Sequence, residues 1–291
     1  MFLATGEPEV VQERACTAVV DGNGAFGQIG ASFAMRLAMR KAKEYGFAAV
    51  GLRNTGHIGR VGAYPLLAAE DNLIAMVFVN AGRLGRQIAP YGGIDGKLST
   101  NPIAFAAPRR DAAPILVDMT TSVAAEGKVR VAANQGKSLP KGWIIDHNGH
   151  PSTDPEDYVG TPSGAILPLG GAVAHKGYCL SFIVELLGGA LSGQGCAAGE
   201  QIVRSNGVMI TVYSIEHFTE LDTYFREVET LIEHIHTSRI DPEQGEILVP
   251  GEPETRSTLE RTENGIPIDD TTWSRIGAAA RSVGLDPRTW K

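Results

Sequence analysis

The sequence predicts an α/β (α+β) fold with a helical C-terminal piece, on three observations. Apolar runs of strand length alternate with helix-period segments over the first half of the chain. Helical patterns then dominate the second half. Glycine is abundant, at 35 of 291 residues, against about 7% in average usage. It collects where backbone turns tightly or closely approaches another group. Hydrophobic residues at 43% and charged residues at 20% are globular proportions, and they exclude a disordered or collagen-like chain.

Each element has its own signal. Residues 16–21 (CTAVVD) read as a strand. A glycine loop follows, then a helix from about 32 to 45 with Phe33, Leu37 and Met39 on its apolar stripe. Lys41 and Lys43 fall in its last turn, and Gly46 is placed just beyond it. Residues 47–53, 73–79 and 115–119 read as further strands. Ser122 is a candidate cap for a helix over 123–134 that Gly136 ends. Residues 177–191 read as a mostly buried helix and 207–213 as a strand. The clearest amphipathic helix covers 216–236, where Phe218, Leu221, Phe225, Val228, Ile232 and Ile235 recur at steps of three and four. A Pro/Gly/Glu-rich connection spans 241–254, and helices near 255–263 and 271–282 close the chain.

Composition narrows the function. A net charge of −7 argues against nucleic acid as the partner, since phosphate binding needs a basic face. Cys16, Cys179 and Cys196 are odd in number and lack C-x-x-C spacing, which points to a reducing, cytoplasmic setting without a disulfide framework. The N-terminus lacks the charged and apolar regions of a signal peptide. The apolar stretch 178–191 contains Glu185 and is too short to span a bilayer, so no membrane association is expected. No metal constellation stands out: His147 and His150 flank a turn without a third ligand, and His234 and His236 point to different helix faces. No G-x-S-x-G elbow supports serine hydrolysis.

Gly22-Asn23-Gly24-Ala25-Phe26-Gly27 matches G-x-G-x-x-G between a strand and a helix. Two features count against a dinucleotide fingerprint. Asp21 would oppose a pyrophosphate, and no Asp or Glu lies between Phe47 and Ala69, where a ribose-binding acid is expected. The loop is therefore read as a plain turn before a helix. His57 is the stronger candidate. It sits between Gly56 and Gly59, just past the carboxyl end of the 47–53 strand, where open α/β sheets bind ligands. Its imidazole suits proton transfer near neutral pH.

Around His57 the chain resembles a known family. Asn54-Thr55-Gly56-His57-Ile58-Gly59 is similar to the N-S-x-H-x-G motif of the type-2 malate/L-lactate dehydrogenases. Further matches follow in order: Thr100-Asn101-Pro102, Asp118-Met119-Thr120-Thr121-Ser122, Gly127-Lys128-Val129, Pro140-Lys141-Gly142-Trp143, Pro151-Ser152-Thr153-Asp154-Pro155, His175-Lys176-Gly177-Tyr178, Glu185-Leu186-Leu187, Val249-Pro250-Gly251-Glu252 and Gly265-Ile266-Pro267. The resemblance runs from about residue 8 to the end.

The resemblance implies a non-Rossmann, mixed-sheet NAD(P)-binding domain over 12–240. Residues 241–291, with 1–11, would be the remnant of a helical domain. It implies hydride transfer between NAD or NADP and a small 2-hydroxy or 2-oxo acid, in a homodimer. His57 would be the catalytic residue or a cofactor contact, with Ile58 and Gly59 beside it. Thr100, Asp118, Met119, Thr120, Lys176, Pro250, Gly251 and Glu252 would bind the cofactor. The same family includes cyclic-imine reductases, which leaves imine reduction as an alternative. Members normally begin with a helical segment carrying S-H-G-x-x-R, and no Ser-His-Gly occurs in this sequence. The expectation is that this segment is absent, which sets a second alternative beside the dehydrogenase reading: a truncated, inactive member that only binds cofactor or dimerises. Cys179 replaces a family glycine and is expected to intrude where backbone packs closely.

Overall fold

The computed structural model describes residues 6–82, 86–198 and 205–287. The edge strand β1 (Glu9–Glu13) and its neighbour β2 (Thr17–Asp21) come first, followed by helix α1 (Gly27–Tyr45) and strand β3 (Phe47–Thr55). Helix α2 (Ala63–Ala69) leads into β4 (Leu73–Asn80), and β5 (Ile103–Ala107) and β6 (Ile115–Met119) form an antiparallel pair. A small second unit holds α3 (Glu126–Gln135), β7 (Ile144–Ile145), β8 (Pro151–Ser152), α4 (Glu156–Val159) and β9 (Ala165–Ile166). Helix α5 (His175–Val184) runs into a π-helical turn, Glu185–Leu191. Strand β10 (Asn206–Ser214) and helices α6 (Leu221–His236), α7 (Glu252–Asn264) and α8 (Asp270–Ser282) complete the described chain.

Among the described residues, seven strands form one mixed sheet in the order β1-β2-β3-β10-β4-β5-β6. In it β2 and β3 run parallel, joined by the crossover helix α1, and the other pairs are antiparallel. The late strand β10 sits between β3 and β4 and pairs antiparallel with both. β1 pairs with β2 from Glu9 onward, so the sheet begins before residue 12. The small sheet has the order β8-β7-β9. It closes over Ile88, Val129, Leu139, Ile144, Tyr158 and Ile166 as a separate core.

One face of the main sheet is covered by α1. Ala31, Ala34, Met35, Leu37, Ala38 and Ala42 pack on Val20, Val50, Leu52, Val77 and Ile210. Each fully buried large side chain there contributes about 1.5–3 kcal/mol. The alanines let the helix lie close to the sheet. Phe33 falls off this stripe and is exposed. Lys41 is not a solvated last-turn cation. It is buried, with Nζ donating to the carbonyls of Arg14 (2.8 Å) and Ala15 (3.2 Å) and pairing with Glu13. Lys43 remains in the last turn, and Gly46 caps the helix in the left-handed region at φ +83°. The opposite sheet face packs Phe78, Ile103 and Met209 against Val184, Leu180 and Leu187.

Other expectations shift in detail. Ser122 does not cap α3: its hydroxyl donates to the Ala124 carbonyl (2.7 Å), and the helix starts after Ala125. Gly136 ends α3 at φ +62°, as expected. The 177–191 segment is not mostly buried, because one side of α5 and the π turn faces solvent with Phe182, Ile183, Leu186 and Leu191. Cys179 lies on that exposed side and does not intrude on packed backbone. α6 begins at Leu221, five residues later than its apolar periodicity suggests. Phe225 and Ile232 are its buried residues, while Phe218 is exposed.

Candidate active site

The carboxyl ends of β2 and β3 lie side by side, and the glycine loop after β2 supports the segment after β3. The N–H groups of Gly22 and Gly24 donate to the carbonyls of Arg53 and Asn54 (2.9 Å each), and Gly56 N–H donates to Ala25 (3.0 Å). These main-chain groups are spent on the neighbouring strand end. The reason for a glycine at 27 is steric: a Cβ there would lie 2.3 Å from the carbonyl oxygens of both Gly56 and His57. Asp21 turns inward at the same place. It accepts from Asn23 N–H (2.9 Å) and Asn54 Nδ2 (3.0 Å) and pairs with Arg53 (3.3 Å). Burial alone would raise its carboxyl, but these hydrogen bonds and the Arg53 charge hold it below the ordinary carboxylate value.

His57 emerges exposed from this support. Its Nδ1 accepts the Gly59 N–H at 3.1 Å. The proton of the neutral ring therefore resides on Nε2, as an outward hydrogen-bond donor. The next residue is immobilised. Ile58 is 1% exposed. Its N–H donates to Asn206 Oδ1 (3.0 Å), and its carbonyl accepts from the Tyr64 hydroxyl. Burial pushes the Tyr64 phenol up to about 12, so it stays a donor throughout the physiological range.

Asn206 opens onto a buried polar network that no local spacing announced. Its Nδ2 donates to the Asn80 carbonyl (3.0 Å). The Asn80 side chain accepts from Gly82 and Gly207 N–H (3.2 Å each) and donates to Glu185 Oε2 (3.3 Å). Glu185 also accepts from Ala197 N–H (2.8 Å) and Asn101 Nδ2 (2.8 Å), and Asn101 reaches Ser181 Oγ (2.9 Å). All four of Asn80, Asn101, Glu185 and Ser181 are under 5% exposed. A buried carboxylate is costly unless it is fully hydrogen-bonded, and here three N–H donors hold it. The motif residues Asn101 and Glu185 thus meet, 84 positions apart, and the network continues to the residue beside His57.

The remaining candidates gather around β6. Asp118 Oδ2 accepts Gly62 N–H (2.8 Å) and lies 3.8 Å from Arg60 Nε. It therefore ties the end of β6 to the loop carrying His57. Met119 is exposed, and Thr120 donates to the Ser122 carbonyl (2.9 Å). The Thr100 carbonyl accepts both Thr121 N–H (3.0 Å) and its hydroxyl (3.1 Å), which joins two motifs. At the other end of β6, Leu116 N–H donates to the Pro250 carbonyl (3.0 Å). Gly251 packs there at φ +100°, where a Cβ would lie 2.8 Å from the Leu116 nitrogen. Glu252 folds back to accept Val249 N–H (3.1 Å). This turn borders a cleft of about 280 Å³ shared with Arg109, Pro114 and Arg256. Lys176 is exposed in the first turn of α5, apart from these contacts. Among the described residues, no group of three or more His, Cys, Asp or Glu could hold a metal ion. Among the same residues, no helix is long and apolar enough to cross a membrane.

The family model for malate/L-lactate dehydrogenase matches residues 2–277. The chain belongs to the malate/L-lactate dehydrogenase family. It is 37% identical to hydroxycarboxylate dehydrogenase B of Escherichia coli O157:H7 over 286 residues, covering 97% of this chain and 78% of that protein. The structure of malate dehydrogenase from Pyrococcus horikoshii superposes with a TM-score of 0.86 at 34% identity, over 98% of this chain and 79% of that one. More distant is Δ1-piperideine-2-carboxylate reductase from Pseudomonas syringae, with a TM-score of 0.80 at 28% identity, over 94% of this chain and 80% of that one. Family membership makes the chain an oxidoreductase of the hydroxyacid dehydrogenase type. Asn80, Asn206, Tyr64 and Arg60 are the site residues that sequence reasoning missed. Asn80 and Asn206 stand at the ends of apolar strands, a faint signal, and Tyr64 has none.

Proposed function

We propose that the chain interconverts a small 2-hydroxy acid and its 2-oxo acid, using NAD or NADP, with His57 as the catalytic residue. One observation carries this reading: an exposed imidazole with an outward Nε2–H, on a loop locked at Ile58 from both sides. The residues present fit a nicotinamide dinucleotide. Within G-x-G-x-x-G the Gly22 and Gly24 amides are committed to β3, so the fit rests elsewhere, on the His57 loop, Thr100, Asp118–Thr120, the Lys176 ammonium and the Pro250–Glu252 turn. When bound, the dinucleotide supplies or takes the hydride.

The chain's own residues do the rest. His57 Nε2–H points a hydrogen bond at the substrate oxygen and fixes its position. Taking up a second proton requires Nδ1 to exchange its contact with Gly59 N–H for a proton. Proton delivery is therefore coupled to a small movement of the ring. The elements from β1 to α6 serve as the cofactor-binding body, and the Pro250–Glu252 turn ahead of α7 closes against β6. The exposed apolar side of α5 and the π turn favours a homodimer, since large uncovered apolar patches mark interfaces.

The test follows NADH and NADPH oxidation with 2-oxo acids that carry a methyl, a second carboxylate or a sulfonate, and with Δ1-piperideine-2-carboxylate. Turnover of an oxo acid is expected, falling about 10²-fold or more in His57→Ala. Dinucleotide binding without turnover of any acid would sink the enzymatic reading. Turnover of the cyclic imine alone would replace it with imine reduction.

A further inference from the structure

Three cations from separate parts of the chain converge on one cleft. Arg60 lies three residues beyond His57, Lys128 is in the first turn of α3, and Arg261 is near the end of α7. Together they line a space of about 490 Å³. Two hydroxyls, Ser257 and Thr258, face the same space, and Glu254 is the lining carboxylate. The cluster is basic in a chain whose net charge is −7. Such a concentration on one cleft focuses positive potential for an anion. Asp118 partly balances Arg60 at 3.8 Å. It does not line the cleft, and it holds Arg60 beside the His57 loop.

We infer that Arg60, Lys128 and Arg261 form a phosphate-binding cleft that takes a phosphate of the dinucleotide. This rests on the reading of the chain as a dinucleotide-dependent enzyme. The chemistry of the lining favours phosphate. Arginine and lysine donate charge-assisted hydrogen bonds to phosphate oxygens, and hydroxyls donate to those left over. A monocarboxylate would leave most of these donors unused. The position also fits, because one wall begins just beyond His57 and the other follows directly on the Pro250–Glu252 turn. The phosphate is either the pyrophosphate shared by NADH and NADPH or the 2′-phosphate of NADPH alone. Both present the same oxygens.

The experiment measures binding of NADH, NADPH, inorganic pyrophosphate and 2′,5′-ADP to the full chain and to Lys128→Gln, Arg261→Gln and the double variant. Calorimetry serves all four ligands, and nicotinamide fluorescence serves the two reduced dinucleotides. Both side chains are exposed, so the variants should fold, with far-UV circular dichroism and melting as the control. Each lost cation is expected to weaken binding about tenfold, and added salt should shrink that difference. Weakening on NADH, NADPH and pyrophosphate alike assigns the pyrophosphate. Weakening confined to NADPH and 2′,5′-ADP assigns the 2′-phosphate and makes NADPH the cofactor. Unchanged affinities in a chain that binds dinucleotide would overturn the cleft and leave the proposed function standing. Pyrophosphate binding without either dinucleotide would overturn the dinucleotide assignment and the proposed function together.

Discussion

Asn206 Oδ1 accepts the main-chain N–H of Ile58 at 3.0 Å, across 148 positions of sequence. That bond fixes the residue beside His57 to the first residue of the central strand β10. Asn206→Ala leaves the Ile58 N–H without its acceptor and takes one donor from the Asn80 carbonyl. An orphaned buried group costs about 1–3 kcal/mol, and a loss of that size is expected. Urea denaturation measures it. A loss under about 0.5 kcal/mol, typical of an exposed substitution, would mean that the network does not hold the loop.

Tyr64→Phe removes a single oxygen and leaves the Ile58 carbonyl without its donor. The ring stays, so packing is preserved, and the expected destabilisation is about 1–3 kcal/mol. The prediction also concerns binding. With Ile58 freed on one side, dinucleotide affinity should fall while secondary structure is unchanged. Calorimetric titration of the variant with NADH and NADPH reads this directly, and wild-type affinity would refute it.

Gly27→Ala places a methyl 2.3 Å from two carbonyl oxygens of the 56–57 segment. Backbone has no rotamer with which to yield, so the loop must shift. Overpacking of this kind costs about 1–3 kcal/mol. Gly136→Ala is the contrast. A Cβ there meets nothing within 4 Å, so only the φ of +62° is strained. Gly27→Ala should impair dinucleotide binding and turnover, and Gly136→Ala should lower stability alone. Equal effects on binding would refute the assignment.

Asp21 gives a pH dependence with a defined sign. Its folded carboxyl titrates below the unfolded value of about 3.9. Its contribution is therefore complete above that value and is lost as pH falls through the lower folded one. Wild type and Asp21→Asn should differ most in urea midpoint well above the ordinary carboxylate value and converge as pH falls below the lowered folded one. A difference that stays constant with pH would show that the charged form is not what stabilises the turn.

The sequence made the strands β2, β3, β4, β6 and β10 and the C-terminal helices legible, because each has a clean period or an apolar run, while the parallel pairing of β2 with β3 came only with the fold. β1 escaped notice because its alternation is weak and it is mostly exposed at an edge. α2 is a single short helix containing Pro65, and β5 is a five-residue run in which three alanines carry little strand propensity. At the site, His57 was legible from its glycine neighbours. The supports were not. Asn80, Tyr64 and Asn206 act through tertiary hydrogen bonds, and nothing local distinguishes a buried asparagine from a loop asparagine. The glycine surplus was visible at once, yet its meaning at Gly27 depends on a strand end that only the fold brings near.

β10 carries a consequence for biogenesis. Its insertion between β3 and β4 means that the sheet stays split until residues 206–214 leave the ribosome. Until then, two long apolar strands each show an unpaired margin to the cell, the condition under which nascent chains stick to one another. The long sequence separation of these pairings also slows their closure. A nascent chain stalled before Asn206 would be a client for chaperones, and completion of one nine-residue strand would release it.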